Sequence, residues 1–184
     1  YMDFQESILL HLKNGKGLFP EIIENRNGKS SSVIFDDSGR ERFVRLLSWI
    51  SGRMWSDVNP ITSSLLINLG QKAGTLTGLL HDFQHPNGNR VFEWDIANAS
   101  WTREFVDLFS ENHQNIIKHF LQRFDEITPK YSTLRKSIVH NDVNDNNIVV
   151  SKNLNSPEVV SIIDFGDAVY TQTINDLAVT IAYA

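Results

Sequence analysis

Apolar residues recur at helical spacing in two segments of the first half of the chain. Phe4, Ile8 and Leu12 fall on one face of a predicted amino-terminal helix. A longer helix is predicted from Thr62 to Phe83, where leucines repeat every three or four residues along one side. Both patterns are typical of helices that pack one face against a core.

Two more helices are predicted in the second half. One runs from about Ser110 to Ile127, and we expect Pro129 to end it because proline removes a helical hydrogen bond. The other is apolar and runs from Asp176 to Ala184 without a Gly, Lys or Pro to stop it. Because the chain begins and ends within helical patterns, we expect it to be truncated at both ends, a fragment of a longer or fused protein.

Short runs of β-branched and aromatic residues predict strands between the helices. Residues 32–35 and 42–47 flank the turn-forming cluster Asp36-Asp37-Ser38-Gly39, which predicts a hairpin. Three further runs, 137–139, 148–150 and 159–163, follow the third helix. The order of helix, small antiparallel sheet, helices and then short strands with acidic loops predicts an α+β fold with two lobes.

Composition and charge narrow the class of protein. The chain has 184 residues, of which 41% are hydrophobic, and a formal net charge of −5. Such a chain has no basic field to attract nucleic acid or an anionic membrane, so we expect neither as a partner. It has no Cys, which fits a reducing compartment. No apolar run approaches the roughly 18 residues of a membrane span, and we expect a cytoplasmic protein.

The richest group of polar residues lies between the strands of the second half. The loop HNDVNDNN, residues 140–147, places Asp142 and Asn147 five positions apart, and IIDFGD presents Asp164 at the end of a strand. A carboxylate can orient a hydroxyl, while an amide oxygen and a second carboxylate can bind Mg²⁺ if phosphates and water complete its shell. This combination is the catalytic Asp, metal Asn and metal Asp of a phosphotransferase.

The two motifs resemble those of the aminoglycoside phosphotransferase and choline kinase family of small-molecule kinases, whose signature is H-G-D-x-x-x-x-N followed by I-D-[FW]. Asn141 stands at the family's Gly, and Asn144-Asp145 stands where the aminoglycoside enzymes commonly have His-Pro or Lys-Pro. With the stretch DFGDAVY, the sequence is most similar to the hydroxylysine-kinase-like branch. The resemblance implies a bilobal protein-kinase-like fold. Residues 1–50 would form part of the amino-terminal lobe, with an αC-like helix, a hairpin and a hinge strand, and residues 51–184 part of the helical carboxy-terminal lobe.

The resemblance also implies a role for each matching residue of the catalytic half. Asp142 would orient or deprotonate the acceptor hydroxyl. Asn147 and Asp164 would hold Mg²⁺, and His140 would support the loop. The cofactors implied are ATP and Mg²⁺.

The nucleotide side of the site is implied in the same way. Glu6 stands where the family's helix glutamate pairs with the lysine that grips the ATP phosphates. Ser48, Trp49 and Ile50 would form the hinge whose backbone groups meet adenine. The phosphate loop and that lysine are expected upstream of residue 1, and further domains are expected on either side of the chain.

The sequence therefore predicts an ATP- and Mg-dependent kinase that transfers the γ-phosphoryl group to a hydroxyl of a small amine-bearing metabolite, such as a hydroxylated amino acid or amino alcohol. The alternative is a non-catalytic kinase-like binding or regulatory module.

Several further residues are compatible with more than one role. Trp49 is expected either in the hinge or in the core. Trp94 and Trp101 are expected either to contact the acceptor or to pack against neighbouring side chains without a functional role. Asp167 and Asp176 are expected to cap or brace the last helix.

Overall fold

The computed structural model describes residues 2–15 and 17–184, and the elements named here lie within them. The helices are α1 (Met2–His11), α2 (Ser63–Leu79), α3 (Glu111–Tyr131) and α4 (Ile174–Tyr183). The strands are β1 (Ile22–Ile23), β2 (Ser32–Phe35), β3 (Glu41–Val44), β4 (Leu46–Leu47), β5 (Arg53–Met54), β6 (Lys136–Val139), β7 (Ile148–Val150), β8 (Val159–Ile162) and β9 (Val169–Gln172). Short 3₁₀ segments link them, and the longest is Ile96–Leu108.

All strand pairs of the described residues are antiparallel. Strand β1 pairs with β4, and β2 pairs with β3. Strand β7 lies between β5 and β8, while β6 pairs with β9. The polar loop 140–147 therefore connects two different small sheets, and both of its ends are fixed by strand pairing.

The predicted hairpin is confirmed. Its turn is stabilised by Asp36, whose Oδ1 accepts hydrogen bonds from the N–H groups of Ser38 and Arg40, each at 3.0 Å. Gly39 has a φ of 77°, a left-handed conformation that glycine adopts without steric cost. The second predicted run divides at Arg45, because Leu46–Leu47 leaves the hairpin and pairs with Ile22–Ile23.

The predicted helices are also present, although α2 ends at Leu79 and not at Phe83, and α3 extends further than expected. Thr62 caps α2, since its Oγ1 accepts a hydrogen bond from the N–H of Leu65 at 3.2 Å. The break expected at Pro129 is wrong, because α3 continues to Tyr131. The proline lies in the last turn of the helix, where the missing donor removes a single hydrogen bond.

The core forms where α1, α2 and the β7–β8 pair meet. Phe4 and Ile8 of α1 are fully buried, as are Leu65 of α2 and Ile148 and Ile162 of the two strands. Burying each of these side chains contributes roughly 1.5–3 kcal/mol. Among the described residues, none of the helices combines the length and the apolar character that a membrane crossing requires.

The segment that follows α1 fixes this helix against β8. Leu18 accepts two hydrogen bonds at its carbonyl oxygen, one from the N–H of Ile162 at 3.1 Å and one from Oγ of Ser161 at 3.0 Å. The ring of Phe19 packs edge-on against Phe165, with their centroids 5.9 Å apart. The first helix is thereby held beside the loop that follows β8.

Candidate active site

The loop 140–147 begins with a fully buried histidine. His140 places Nε2 2.9 Å from the carbonyl oxygen of Ile163, and its Nδ1 accepts a hydrogen bond from the N–H of Asp142 at 3.2 Å. A carbonyl can only accept, so Nε2 carries the proton and the ring is neutral. Burial lowers the pKa of His140 to about 4, which agrees with this neutral form. The ring therefore joins the loop to the end of β8.

The backbone of the same loop is held from the last helix. Asp176 accepts hydrogen bonds from the N–H of Asn141 at 2.8 Å and from the N–H of His140 at 3.2 Å. Burial raises the pKa of Asp176 to about 6, while these two hydrogen bonds act in the opposite direction. The expectation that the Asp176 side chain caps or braces the last helix is wrong, because both of its carboxylate oxygens accept hydrogen bonds from the loop 140–147. Asn141 has a φ of 68°, a conformation that Asn tolerates better than most residues.

Asp142 and Asn147 are in direct contact. The amide Nδ2 of Asn147 donates to Oδ2 of Asp142 at 2.7 Å and to its backbone carbonyl at 2.8 Å. Nδ2 of Asn144 donates to the other carboxylate oxygen of Asp142 at 2.8 Å. Two amides thus fix the orientation of one half-buried carboxylate.

The electrostatic surroundings raise the pKa of Asp142. The main cause is burial, and the negative charges of Asp167 and Asp164 add to it, whereas the hydrogen bonds from Asn144 and Asn147 lower it. A carboxylate with a raised pKa is a stronger base than an ordinary one, and a pKa closer to the working pH suits proton abstraction.

Asp164 lies at the same end of the β7–β8 pair as Asn147. Ile148 is opposite Ile162 in the ladder, and the N–H of Ile163 donates to the carbonyl of Asn147 at 2.9 Å. Asp164 has a φ of 63°, and its Oδ1 accepts a hydrogen bond from the N–H of Gly166 at 3.0 Å. This left-handed backbone turns the chain sharply out of the strand.

The donor set at this end of the strands fits a divalent cation. Because Nδ2 of Asn147 donates to Asp142, the amide oxygen is the atom of that side chain left for a metal. Asp164 supplies a carboxylate, and these two oxygens suffice for Mg²⁺ when phosphates and water provide the rest. His81 and His85 belong elsewhere, since they pair with Asp82 and Asp3.

Glu6 lies on α1 with its carboxylate half-buried. Its Oε2 accepts a hydrogen bond from Oγ of Ser30 at 2.8 Å. Its Oε1 is buried and, among the described residues, has no hydrogen-bond partner. A buried carboxylate oxygen without a donor is costly, so this atom is suited to receive a cation.

The three predicted hinge residues line a cavity of about 540 Å³ that Asp164 also lines. Ser48 is already paired with Glu21, donating its N–H to the carbonyl oxygen at 2.8 Å and accepting from the N–H of Glu21 at 2.9 Å. The side chain of Trp49 is 90% exposed, so its interpretation as a core residue is wrong. The predicted hinge residues and the predicted metal ligand Asp164 therefore line the same cavity.

Sequence reasoning missed two cations near the site. Arg45 lines the cavity, with its Nη2 hydrogen-bonded to Oε1 of Gln5. Arg90 donates to the carbonyl oxygens of Gly166 and Ala168 at 3.2 and 3.1 Å. Neither contact has a local sequence signal, because at least 40 positions separate the partners.

The two tryptophans proposed for the acceptor lie in different places. The carbonyl of Trp94 accepts a hydrogen bond from Nδ2 of Asn141 at 3.3 Å, and the side chain of Trp94 is 72% exposed. Trp101 donates its Nε1 proton to the carbonyl of Glu93 at 2.8 Å and packs edge-on against Phe105. Of the two, Trp94 is the one whose backbone contacts the loop 140–147.

Comparison with known proteins agrees with this geometry. Residues 3–184 match the Phosphotransferase enzyme family, APH. The chain belongs to this family, and its fold is the kinase-like α+β fold of that family's solved structures.

Individual relatives and a solved structure resemble the chain over nearly its whole length. The hydroxylysine kinases of Bos taurus and Xenopus laevis are 27% and 29% identical over 99% of the chain. The chain spans 52% and 53% of their lengths, about half of each. The amicoumacin kinase hAmiN, solved in complex with AMP-PNP, Ca²⁺ and Ami, superposes with a TM-score of 0.63 at 20% identity, covering 97% of this chain and 52% of that one.

Proposed function

We propose that the protein is an ATP- and Mg-dependent small-molecule kinase that transfers the γ-phosphoryl group to a hydroxyl of a small amine-bearing metabolite. The observation that supports this most directly is the Asn147–Asp142 hydrogen bond of 2.7 Å beside Asp164, at one side of a cavity that reaches the hinge residues. A base, two cation ligands and room for a nucleotide lie together.

Asp142 is the catalytic residue in this proposal. Its carboxylate accepts the acceptor's hydroxyl proton as the oxygen attacks phosphorus, and Asn144 and Asn147 keep it oriented for that approach. Its raised pKa favours proton acceptance. His140 supports the loop, since its neutral ring holds the N–H of Asp142 and the carbonyl of Ile163.

Asn147 and Asp164 would hold the metal ion, with Asn147 using its amide oxygen. When bound, Mg²⁺ neutralises charge on the phosphates and orients them for in-line attack. The contact between Asn147 and Asp142 places the proposed metal ligand beside the proposed base.

The nucleotide would occupy the 540 Å³ cavity. Adenine would meet the hinge at Trp49 and Ile50, because the N–H of Ser48 is already donated to Glu21. Glu6 would pair through its unpartnered Oε1 with the lysine that grips the α- and β-phosphates. A cytoplasmic location stays a prediction from the cysteine-free composition.

Two observations support an acceptor class for this proposal: the similarity to hydroxylysine kinases and the negative charges near the proposed base. Asp145 lies within the loop 140–147, and Asp167 directly follows the DFG segment, residues 164–166. Ammonium groups are attracted to carboxylates over about a Debye length, roughly 8 Å at physiological salt. We therefore propose hydroxylated amino acids or amino alcohols as acceptors, in preference to aminoglycosides.

A panel of acceptors tests the function. The full-length protein with Mg-ATP is assayed for kcat/KM with 5-hydroxylysine, homoserine, ethanolamine, choline and kanamycin. We expect one of the amino acids or amino alcohols to give the highest value. If kanamycin is phosphorylated best, the acceptor class is wrong and the kinase assignment stands. If ATP does not bind and no acceptor reacts, the non-catalytic kinase-like module is the better description.

A further inference from the structure

Arg45 is a cation in the nucleotide cavity that the site described so far does not use. It lies between β3 and β4, and it lines the same cavity as Leu9, Leu47 and Asp164. No motif identified it, because its surroundings come from α1 and from the loop after β8. Its side chain is mostly shielded from solvent.

The guanidinium group of Arg45 is only partly satisfied. Its Nη2 donates to Oε1 of Gln5, a neutral amide, while its Nη1 is buried without a hydrogen-bond partner. None of the ion pairs formed among the described residues includes Arg45. A buried cation without a counter-charge is unfavourable, so the arrangement calls for an anion in the cavity.

Gln5 connects this cation to the rest of the site. It precedes Glu6 on α1 and is buried. Its Nε2 is 3.9 Å from the position that a Cβ on Gly166 would occupy, which puts it next to the DFG segment. Arg45 is therefore held from the glutamate-bearing helix while it faces the same space as the metal-binding Asp164.

We propose that Arg45 is a phosphate-binding residue, whose guanidinium donates hydrogen bonds to a phosphate oxygen of the nucleotide across the cavity from Asp164. This inference rests on the proposed nucleotide site. A guanidinium is the side chain best matched to phosphate oxygens, since its planar N–H groups donate in pairs and keep their charge at any physiological pH. Arg45 would act in addition to the lysine expected to pair with Glu6.

The test compares ligands with and without phosphates. Isothermal titration calorimetry with Mg²⁺ measures the dissociation constants of ADP and of adenosine for the full-length protein and for Arg45→Met. We expect ADP to bind roughly 10- to 100-fold more weakly to the variant, as for a lost charged hydrogen bond. Adenosine should change by less than about threefold. Arg42→Met is the matched control, because Arg42 is an exposed arginine of the adjacent β2–β3 hairpin and pairs with Asp36. The ADP affinity of this variant should equal that of the wild type.

Each other outcome has a distinct meaning. If ADP and adenosine weaken equally, Arg45 has only a structural role and the proposal is overturned. If ADP and adenosine both bind to the variant as tightly as to the wild type, the phosphate-binding role of Arg45 is overturned as well. The proposed nucleotide site is then still supported. If the wild type binds neither ligand, the proposed function itself fails. Should Arg45→Met not fold, Arg45→Gln retains a side chain that can pair with Gln5, and the same selective loss of ADP affinity is expected.

Discussion

Two strand pairs of this protein share a composition but differ in their environment. The β2–β3 hairpin and the β7–β8 pair are both rich in Val, Ile or Phe. Every residue of β3 is exposed, whereas every residue of β7 is buried. The hairpin depends on its own turn and ladder, while β7–β8 is fixed by the core. The candidate chemistry is located at the end of the buried pair.

The difference extends to polar groups. Around the buried pair, His140, Asn141, Asn147 and Asp176 are themselves buried, and each makes hydrogen bonds within the loop or to it. In the hairpin, the polar contacts of Asp36 lie at the surface. These buried hydrogen bonds hold the loop 140–147 in place, although Oδ1 of Asn141 has no hydrogen-bond partner among the described residues.

The largest difference between the two regions is expected when Asp164, the proposed metal ligand, is substituted and the effect is compared with a substitution in the hairpin. Asp164→Ala removes the carboxylate that we propose as a metal ligand, so Mg-dependent nucleotide affinity should weaken and kcat/KM should fall by roughly 10²–10³-fold. Asp37→Ala, in the hairpin turn, is the matched control and should leave both unchanged. Calorimetry with ADP at varied Mg²⁺ and steady-state kinetics measure the effect. Unaltered Mg²⁺ dependence in Asp164→Ala would show that the metal ligands are misassigned.

The next largest effect is expected from substitution of Asp176, which accepts hydrogen bonds from the loop 140–147. Asp176→Ala leaves the N–H groups of His140 and Asn141 buried without an acceptor. We expect a loss of about 2–5 kcal/mol in the free energy of unfolding, measured by urea denaturation. Asp37→Ala should change it by less than about 0.5 kcal/mol. Equal effects of the two substitutions would mean that Asp176 does not hold the loop.

The pH dependence of stability provides a finer test of the buried region. Burial lowers the pKa of His140 from 6.5 to about 4. Between these two pH values the unfolded state binds more protons than the folded state. The contribution of His140 to the free energy of unfolding therefore rises with pH. Burial raises the pKa of Asp176 from 3.8 to about 6, so the folded state binds more protons in that window and stability falls with pH. The two contributions oppose each other between about pH 4 and 6.

His140→Gln removes one of the two contributions. Relative to wild type, the free energy of unfolding of this variant should fall with rising pH by about 1 kcal/mol per unit between pH 4 and 6. Urea denaturation of both proteins at pH 4, 5 and 6 gives the slopes. Parallel slopes would contradict the neutral, buried state of His140.

The smallest effect is expected in the hairpin turn. Gly39 has a φ of 77°, so Gly39→Ala places a Cβ in a left-handed conformation and should cost about 1 kcal/mol. The loss should appear in thermal unfolding without a change in kcat/KM. A change in catalysis would show that the hairpin and the catalytic loop are coupled.

The parts of the molecule that could be predicted are those with local signals. Asp142, Asn147 and Asp164 stand in short motifs between β runs, and the hairpin has its own turn residues. Strands β5 and β9 could not be predicted, since they are defined by pairing with β7 and β6 far along the chain.

Side-chain contacts between residues far apart in the sequence could not be predicted either. The Arg45–Gln5 contact and the clamp of Asp176 on His140 each join residues more than 30 positions apart. Their positions depend on tertiary packing, which no local pattern records. The extension of α3 beyond Pro129 likewise depends on the proline lying in a terminal turn, where it costs little.

The most direct test of the account is the catalytic role of Asp142. Asp142→Asn keeps the shape of the side chain but removes the base, so kcat with Mg-ATP and the best acceptor should fall by roughly 10²–10⁴-fold. Nucleotide affinity, measured by calorimetry on the same full-length variant, should stay within about threefold of the wild type, because the carboxylate acts on the acceptor. Wild-type turnover in Asp142→Asn would contradict the assignment.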